Sequence, residues 1–168
     1  MQLGEAKQEF IQNWGSLGSQ WGINRTMAQI HALLLISPDP LTTEQIMEEL
    51  QISRGNTSMN VRELINWQLV KKHHLAGERR EYFSAEKDIW KVFLHILRER
   101  KKRELDPVIR VIHDLQQVNG NEKDRDVKEF KVVLHDINKL VSKGDRAMET
   151  IIRSDESWFL NTFLKLLR

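Results

Sequence analysis

Residues 41–83 read LTTEQIMEELQISRGNTSMNVRELINWQLVKKHHLAGERREYF. Thr42 stands three residues before Gln45, the spacing at which a threonine hydroxyl and a glutamine amide cap each other's backbone at a helix start. Ile46, Leu50 and Met47 then recur at helical spacing and predict one apolar face. Gln51-Ile52 ends that helix, and Ser53 is placed as the N-cap of a second one, running from Arg54 to about Gln68. Leu69-Val70 closes the pair. Two polar/apolar runs follow, one from Lys71 to Leu75 and one from Arg79 to Phe83. The turn Ala76-Gly77-Glu78 between them predicts a hairpin. The order is helix, turn, helix, hairpin.

The second helix is phased by Val61, Leu64 and Ile65, which share a narrow arc, with Thr57 one turn earlier on the same side. The opposite arc carries Asn56, Met59, Asn60, Arg62, Glu63 and Asn66. Amides read adenine edges, arginine reads guanine or phosphate, and an apolar side chain can touch a thymine methyl. A polar solvent face with one stray methionine is the plain alternative for this helix taken alone.

Charge separates the two readings. Between Gln51 and Arg80 the cations are Arg54, Arg62, Lys71, Lys72, Arg79 and Arg80, against only Glu63 and Glu78, whereas the whole chain carries +2. Positive charge is thus gathered where a duplex would dock, and neutralisation of phosphate is the main source of affinity for such proteins. A wing with arginine at its tip commonly reaches phosphate or the minor groove beside the reading helix.

Trp21 to Trp90 resembles the MarR-type winged helix-turn-helix regulators, and most of all their GbsR-like branch. The most specific pieces are Ser53-Arg54-Gly55-Asn56-Thr57-Ser58-Met59 with Arg62-Glu63-Leu64, the run Trp67-Gln68-Leu69-Val70, and Gly77-Glu78-Arg79-Arg80 leading into Tyr82-Phe83. Gln68 departs from the pattern, which tends to have glycine after the helix. The resemblance implies a dimeric transcription factor that binds double-stranded DNA. For part of the branch it also implies osmoprotectant control and a response to choline-like small molecules.

The remaining chain is read as helical. Residues 3–20 form a helix with Phe10, Trp14 and Leu17 on one face, and Gly15 and Gly18 permit close approach of another helix. Its apolar face packs either on its own subunit or on a second copy. Arg25 to Ile36 is nearly all apolar after its first turn, and should be a central buried helix. Ser37-Pro38-Asp39-Pro40 stops it, since proline removes an amide and disfavours helix in the residue before it. His31, within that helix, reads as a packed histidine rather than a metal ligand. A further helix is expected from Ser84, continuing through the charged run 98–104 towards Leu115, with Pro107 starting a new helix or kinking this one. Glu99 and Glu104 interleave that run, so it reads as a solvated face. A loop is expected at 116–121, a helix over 123–142 ended by Lys143-Gly144, a short helix over 145–153, and an apolar closing segment over 156–168.

The fold class that follows is mainly α with a small β-hairpin wing. An N-terminal helix (1–24) precedes a winged helix-turn-helix domain (25–88), and a C-terminal helical region (89–168) follows, the flanking helices serving dimerisation. With no cysteine, disulfides, thiolate chemistry and cysteine zinc sites are excluded. No apolar run approaches the roughly 20 residues of a membrane helix, and no secretory leader is recognised. The expectation is a cytoplasmic protein without membrane contact. No phosphate-binding glycine loop, HExxH or nucleophile elbow occurs, so neither an active site nor a cofactor or metal is expected. Aromatic faces attract quaternary ammonium groups, but core and dimer packing explains Phe10, Trp14, Trp21, Trp90, Phe93 and Trp158 more simply.

The expected function is a sequence-specific regulator, a repressor, that binds a pseudo-palindromic operator as a homodimer. Base reading falls to Asn56, Met59, Asn60 and Arg62, with Ser53, Arg54 and Thr57 near phosphate or base at the helix start. Arg79 and Arg80 make the wing contact, supported by Lys71 and Lys72. The competing class is a winged-helix protein–protein module, for which Met59 and Trp67 would be the docking residues.

Overall fold

The structure is a computed structural model that describes residues 1–74, 76–117, 124–154 and 157–158. It divides into two compact units, Met1–Val92 and Phe93–Arg168.

The first unit is built on α2 (Arg25–Ile36), whose N-cap Asn24 accepts a hydrogen bond from the Met27 amide at 3.1 Å. Its start and its stop before Pro38 fall where the sequence places them. Ile30 and Leu34 of α2, Ile46 of α3 (Thr43–Leu50) and Leu64 of α4 (Arg54–Asn66) are almost wholly buried and form the core of the head. Burial of each such side chain contributes about 1.5–3 kcal/mol. The capping box of Thr42 and Gln45 is present. Ser53 caps α4 by accepting from the Asn56 amide at 3.3 Å. Between the two helices Gln51 turns left-handed (φ 52°).

Beyond α4, Gln68 also has positive φ (60°). That is the backbone conformation that explains the glycine of the family pattern, since a side chain there meets steric resistance. The amide of Leu69 bonds back to the Leu64 carbonyl at 3.0 Å, and the chain enters β2 (Val70–His74). β2 pairs antiparallel with β3 (Glu81–Ala85), from Val70 opposite Ala85 to His74 opposite Glu81. Gly77, at φ 85°, lies in the connecting wing loop. A third strand of two residues, β1 (Leu41–Thr42), pairs with the other edge of β3. It is too short to leave a periodic signal, and the sequence reading lacked it.

α1 (Leu3–Gln20) packs along α2. Gly15 and Gly18 are buried at the contact, and a Cβ on Gly18 would lie 2.6 Å from Cβ of Ala28. The expected role of these glycines, close helix approach, holds within this subunit. Phe10 and Trp14 have ring centroids 5.4 Å apart, and Trp14 lies 6.3 Å from the ring of His31. His31 is buried, as expected of a packed histidine.

One helix start is corrected. The expected helix from Ser84 does not begin there, because Ser84 and Ala85 belong to β3, where His73 Nε2 bonds Ser84 Oγ at 2.7 Å. The next helix, α5, spans Ile89–Arg100, and Asp88 Oδ1 accepts from the Lys91 amide in its first turn. Lys87, between strand and helix, sends Nζ to the carbonyls of Leu34, Leu35 and Ser37 at 2.7–2.8 Å. It thereby binds the end of the wing to the C-terminus of α2, where an ammonium also meets the negative end of the helix dipole.

In the second unit, the helical run continues through a π-helical turn, Lys101–Leu105, into α6 (Asp106–Leu115). Pro107 supplies the reason, since it lacks an amide and its ring crowds the carbonyl four residues back. Most of the charged run is a solvated face. Arg100 pairs with Glu104, and Arg103 and Lys102 with Glu99. Lys101 differs. Its Nζ lies 2.8 Å from Asp106, 3.0 Å from Asp145 and 3.4 Å from Glu149, and Asp106 first, then Asp145, raise its pKa. Asp145 and Glu149 belong to α7, which runs unbroken over Arg125–Arg153. The expected stop at Lys143-Gly144 is therefore corrected. A glycine costs a helix only about 1 kcal/mol, and the turns after Gly144 are held by Lys101 through Asp145 and Glu149. Of the expected loop at 116–121 and closing segment at 156–168, only Gln116, Gln117, Ser157 and Trp158 lie among the described residues.

Candidate nucleic-acid interface

The site is assembled by α3, α4 and the wing. α4 presents Met59 (60% exposed) and Arg62 outward, with Asn56 half-buried beside them. Arg54 and Ser53 are exposed at its start. Lys71 and Lys72 are exposed on β2, and Arg79 and Arg80 on the wing loop. The fold brings Arg62 and Lys72 into the lining of one hollow, together with Thr43, Ser58 and Glu81. Arg80 lines a second hollow with Glu44, Gln45, Glu48 and Tyr82.

Two expected contacts are corrected. Thr57 is fully buried, and its hydroxyl donates to the Ser53 carbonyl at 3.0 Å. Asn60 is also buried, at 3% exposure, with Nδ2 donating to both the carbonyl and Oδ1 of Asn56 at 2.8 and 2.7 Å. Position 60 lies only about 40° from Leu64 around a helix of 3.6 residues per turn, so its phase already pointed inward. Asn60 therefore supports Asn56 rather than facing a ligand. Trp67, the other half of the proposed protein-docking pair, is buried and donates its indole N–H to Glu63 at 3.1 Å.

The cations differ in what holds them. Arg54 pairs with Glu44 at 2.6 Å, Lys71 with Glu86 at 3.2 Å, and Lys72 with Glu81. Arg62 and Arg79 have no carboxylate in ion-pair contact among the described residues. Arg80 faces Glu44 through space. Glu44 is held below the usual carboxylate range, first by its own main-chain amide at the start of α3, then by Arg54 and more weakly by Arg80. Glu86 is lowered likewise, by the Asp88 amide first and then by Lys71. Tyr82 donates to Glu78 at 2.5 Å across the base of the wing loop, a bond that raises the phenol pKa. The residues that sequence reading missed are Glu44 and Ser58. Glu44 lies on the preceding helix, ten residues from the Arg54 it meets, and Ser58 carries no charge to mark it. No set of side chains suited to a metal gathers among the described residues, and no described helix is long and apolar enough to cross a membrane.

An exposed helix of amides, methionine and arginine, preceded by a capped helix and flanked by a basic hairpin, is the reading head of a winged helix-turn-helix DNA-binding regulator. The model of the MarR family matches residues 21–81. The HTH-type transcriptional repressor GbsR of Bacillus subtilis (strain 168) is 31% identical over 121 residues, which cover 69% of this chain and 67% of that protein. A crystal structure described as a transcriptional regulator superposes with a TM-score of 0.55 at 21% identity, over 89% of this chain and 99% of the other, and shows the same fold. MepR of S. aureus in its DNA-binding conformation gives 0.41 at 17% identity over 83% of this chain and 93% of its own, too weak a likeness to bear on the fold.

This chain belongs to the MarR family, in its GbsR-like branch. It is a DNA-binding transcriptional regulator, of a family whose members typically act as dimers.

Proposed function

We propose that the chain is a homodimeric repressor that lays α4 of each subunit into a major groove of a two-fold-symmetric operator and sets each wing on the adjoining backbone. The observation that carries this reading is the pair of guanidinium groups without an ion-pair partner among the described residues, Arg62 on α4 beside Met59 and Asn56 and Arg79 on the wing loop next to Arg80, both exposed. A guanidinium left without an internal carboxylate has full capacity for phosphate or a guanine edge. In this reading Asn56, Met59 and Arg62 read bases, Ser53 and Arg54 meet phosphate at the start of α4, and Arg79, Arg80, Lys71 and Lys72 follow the backbone. Repression is supported by the relationship to a protein named as a repressor.

The homodimer is supported by the second unit. Val111 and Val108 of α6 and Phe130, Val133 and Leu140 of α7 stand 42–73% exposed. So much apolar surface on two helices needs covering, and a two-fold partner supplies both the cover and a second reading head. Selection from random duplex DNA, followed by titration against salt, tests the whole reading. Enrichment of a two-fold site with a steep salt dependence is expected. A flat dependence without enrichment would leave DNA binding unsupported for this head.

A further inference from the structure

The acids around the reading head are as ordered as its cations. α3 carries Glu44, Glu48 and Glu49 and no basic residue. Glu44, in its first turn, accepts a hydrogen bond from Arg54, the first residue of α4, at 2.6 Å, although the two are ten residues apart. The Arg54 side chain is 65% exposed and that of Glu44 51%, so the pair is open to exchange with an outside anion. A carboxylate in contact with a guanidinium offers it the same bidentate chemistry as a phosphate.

We propose that Glu44 is an affinity-setting residue of the DNA interface, an internal competitor with backbone phosphate for Arg54. This rests on the placement of Arg54 at phosphate given above. The consequence is thermodynamic. When a duplex takes Arg54 from Glu44, one condensed cation leaves the DNA, but the abandoned carboxylate, now beside phosphates, takes one up. Net ion release at this position is nil. Arg54 therefore adds little to the sequence-independent part of binding, whereas Arg79, which has no ion-pair partner among the described residues, adds its full share. Without the charge on Glu44, the same contact releases a cation outright, and the affinity for any duplex rises.

The test is a cycle on the full chain, comprising the unmodified protein, Arg54→Ala, Glu44→Gln and the double variant. Each is titrated with random-sequence duplex DNA over a range of sodium chloride concentrations, after thermal unfolding has verified that it is folded. The unmodified protein and Arg54→Ala should share one slope of log affinity against log salt. Glu44→Gln should bind several-fold more tightly, with a slope steeper by about 0.9, the value for one phosphate. The double variant should return to the original slope. Glu48→Gln, which removes a nearby charge without touching Arg54, should not reproduce the change. Flattening by Arg54→Ala while Glu44 is intact, an unchanged slope in Glu44→Gln, or equal steepening by Glu48→Gln would each overturn the competitor role. In all three cases DNA binding itself would stand. A flat slope in the unmodified protein would instead remove the DNA reading on which the proposal rests.

Discussion

Asn60 donates to Oδ1 of Asn56 at 2.7 Å from a position almost closed to water, one helical turn behind the side chain it holds. The buried amide fixes the rotamer of the half-exposed one. A change at Asn60 should therefore be felt in base selection without any contact with DNA. Asn60→Ala should cost about 1 kcal/mol of stability, the usual worth of a hydrogen bond, and narrow the preference for operator over random duplex. Asn60→Asp should be worse on both counts, because an ionised carboxylate cannot donate and would face Asn56 Oδ1 in a buried site. Urea unfolding and competition binding measure the two effects. An Asn60→Asp protein as stable and selective as the original would refute this role.

Arg62 and Arg79 differ in what they should read. Arg62→Ala should lose about 1–3 kcal/mol of operator binding and relax the sequence preference at one position. Arg79→Ala should weaken all duplexes alike and reduce the salt slope by about one. If the two variants behave identically on operator and random DNA, the division between reading helix and wing is wrong.

Gln68 holds φ at 60° with a full side chain. Relief of that strain by Gln68→Gly should raise stability by about 1 kcal/mol, despite the greater freedom glycine gives the unfolded chain. A higher denaturation midpoint at unchanged m-value is the expected result, and a lower midpoint would show that the Gln68 side chain contributes more than the strain removes.

Gly18 faces Ala28 at a distance that no Cβ tolerates, whereas Gly15 faces the flexible side chain of Gln29. Gly18→Ala should destabilise by about 1–3 kcal/mol through overpacking, and Gly15→Ala by less. Equal midpoints for the two variants would mean that α1 shifts freely along α2.

Burial lowers the pKa of His31 to about 4, with Lys87 adding a smaller push in the same direction. The unfolded chain, with an ordinary histidine pKa near 6.5, then binds the proton more readily than the folded one. The stability from keeping His31 neutral is complete above about pH 6.5 and is lost as pH falls towards 4, on the order of 3 kcal/mol in all. Among the described residues Nε2 has no hydrogen-bond partner, so His31→Phe gives up no bond there at that atom. It should flatten the pH dependence between 6.5 and 4 in unfolding experiments. An unaltered acid slope in this variant would assign the sensitivity to other groups.

What the sequence determined by itself was local. The Thr42–Gln45 box, the Ser53 cap, the Pro38 stop and the Gly77 turn each act within a few residues, so the boundaries of α2 and α3, the start of α4 and the hairpin were legible in it. So was the basic, amide-bearing character of the head. Tertiary structure decided what depends on neighbours far along the chain. It carried β3 through Ala85 by pairing with β2, and closed its other edge with β1. It delivered Lys87 to carbonyls of α2 some fifty residues earlier. It kept α7 continuous through Gly144, where Lys101 ties the following turn. It also paired Arg54 with Glu44, and so set it apart from Arg62 and Arg79, which have no ion-pair partner among the described residues. Periodicity reports which face of an element is apolar. Which polar groups find partners is settled only when the elements meet, because a hydrogen bond or ion pair needs its atoms within about 3 Å.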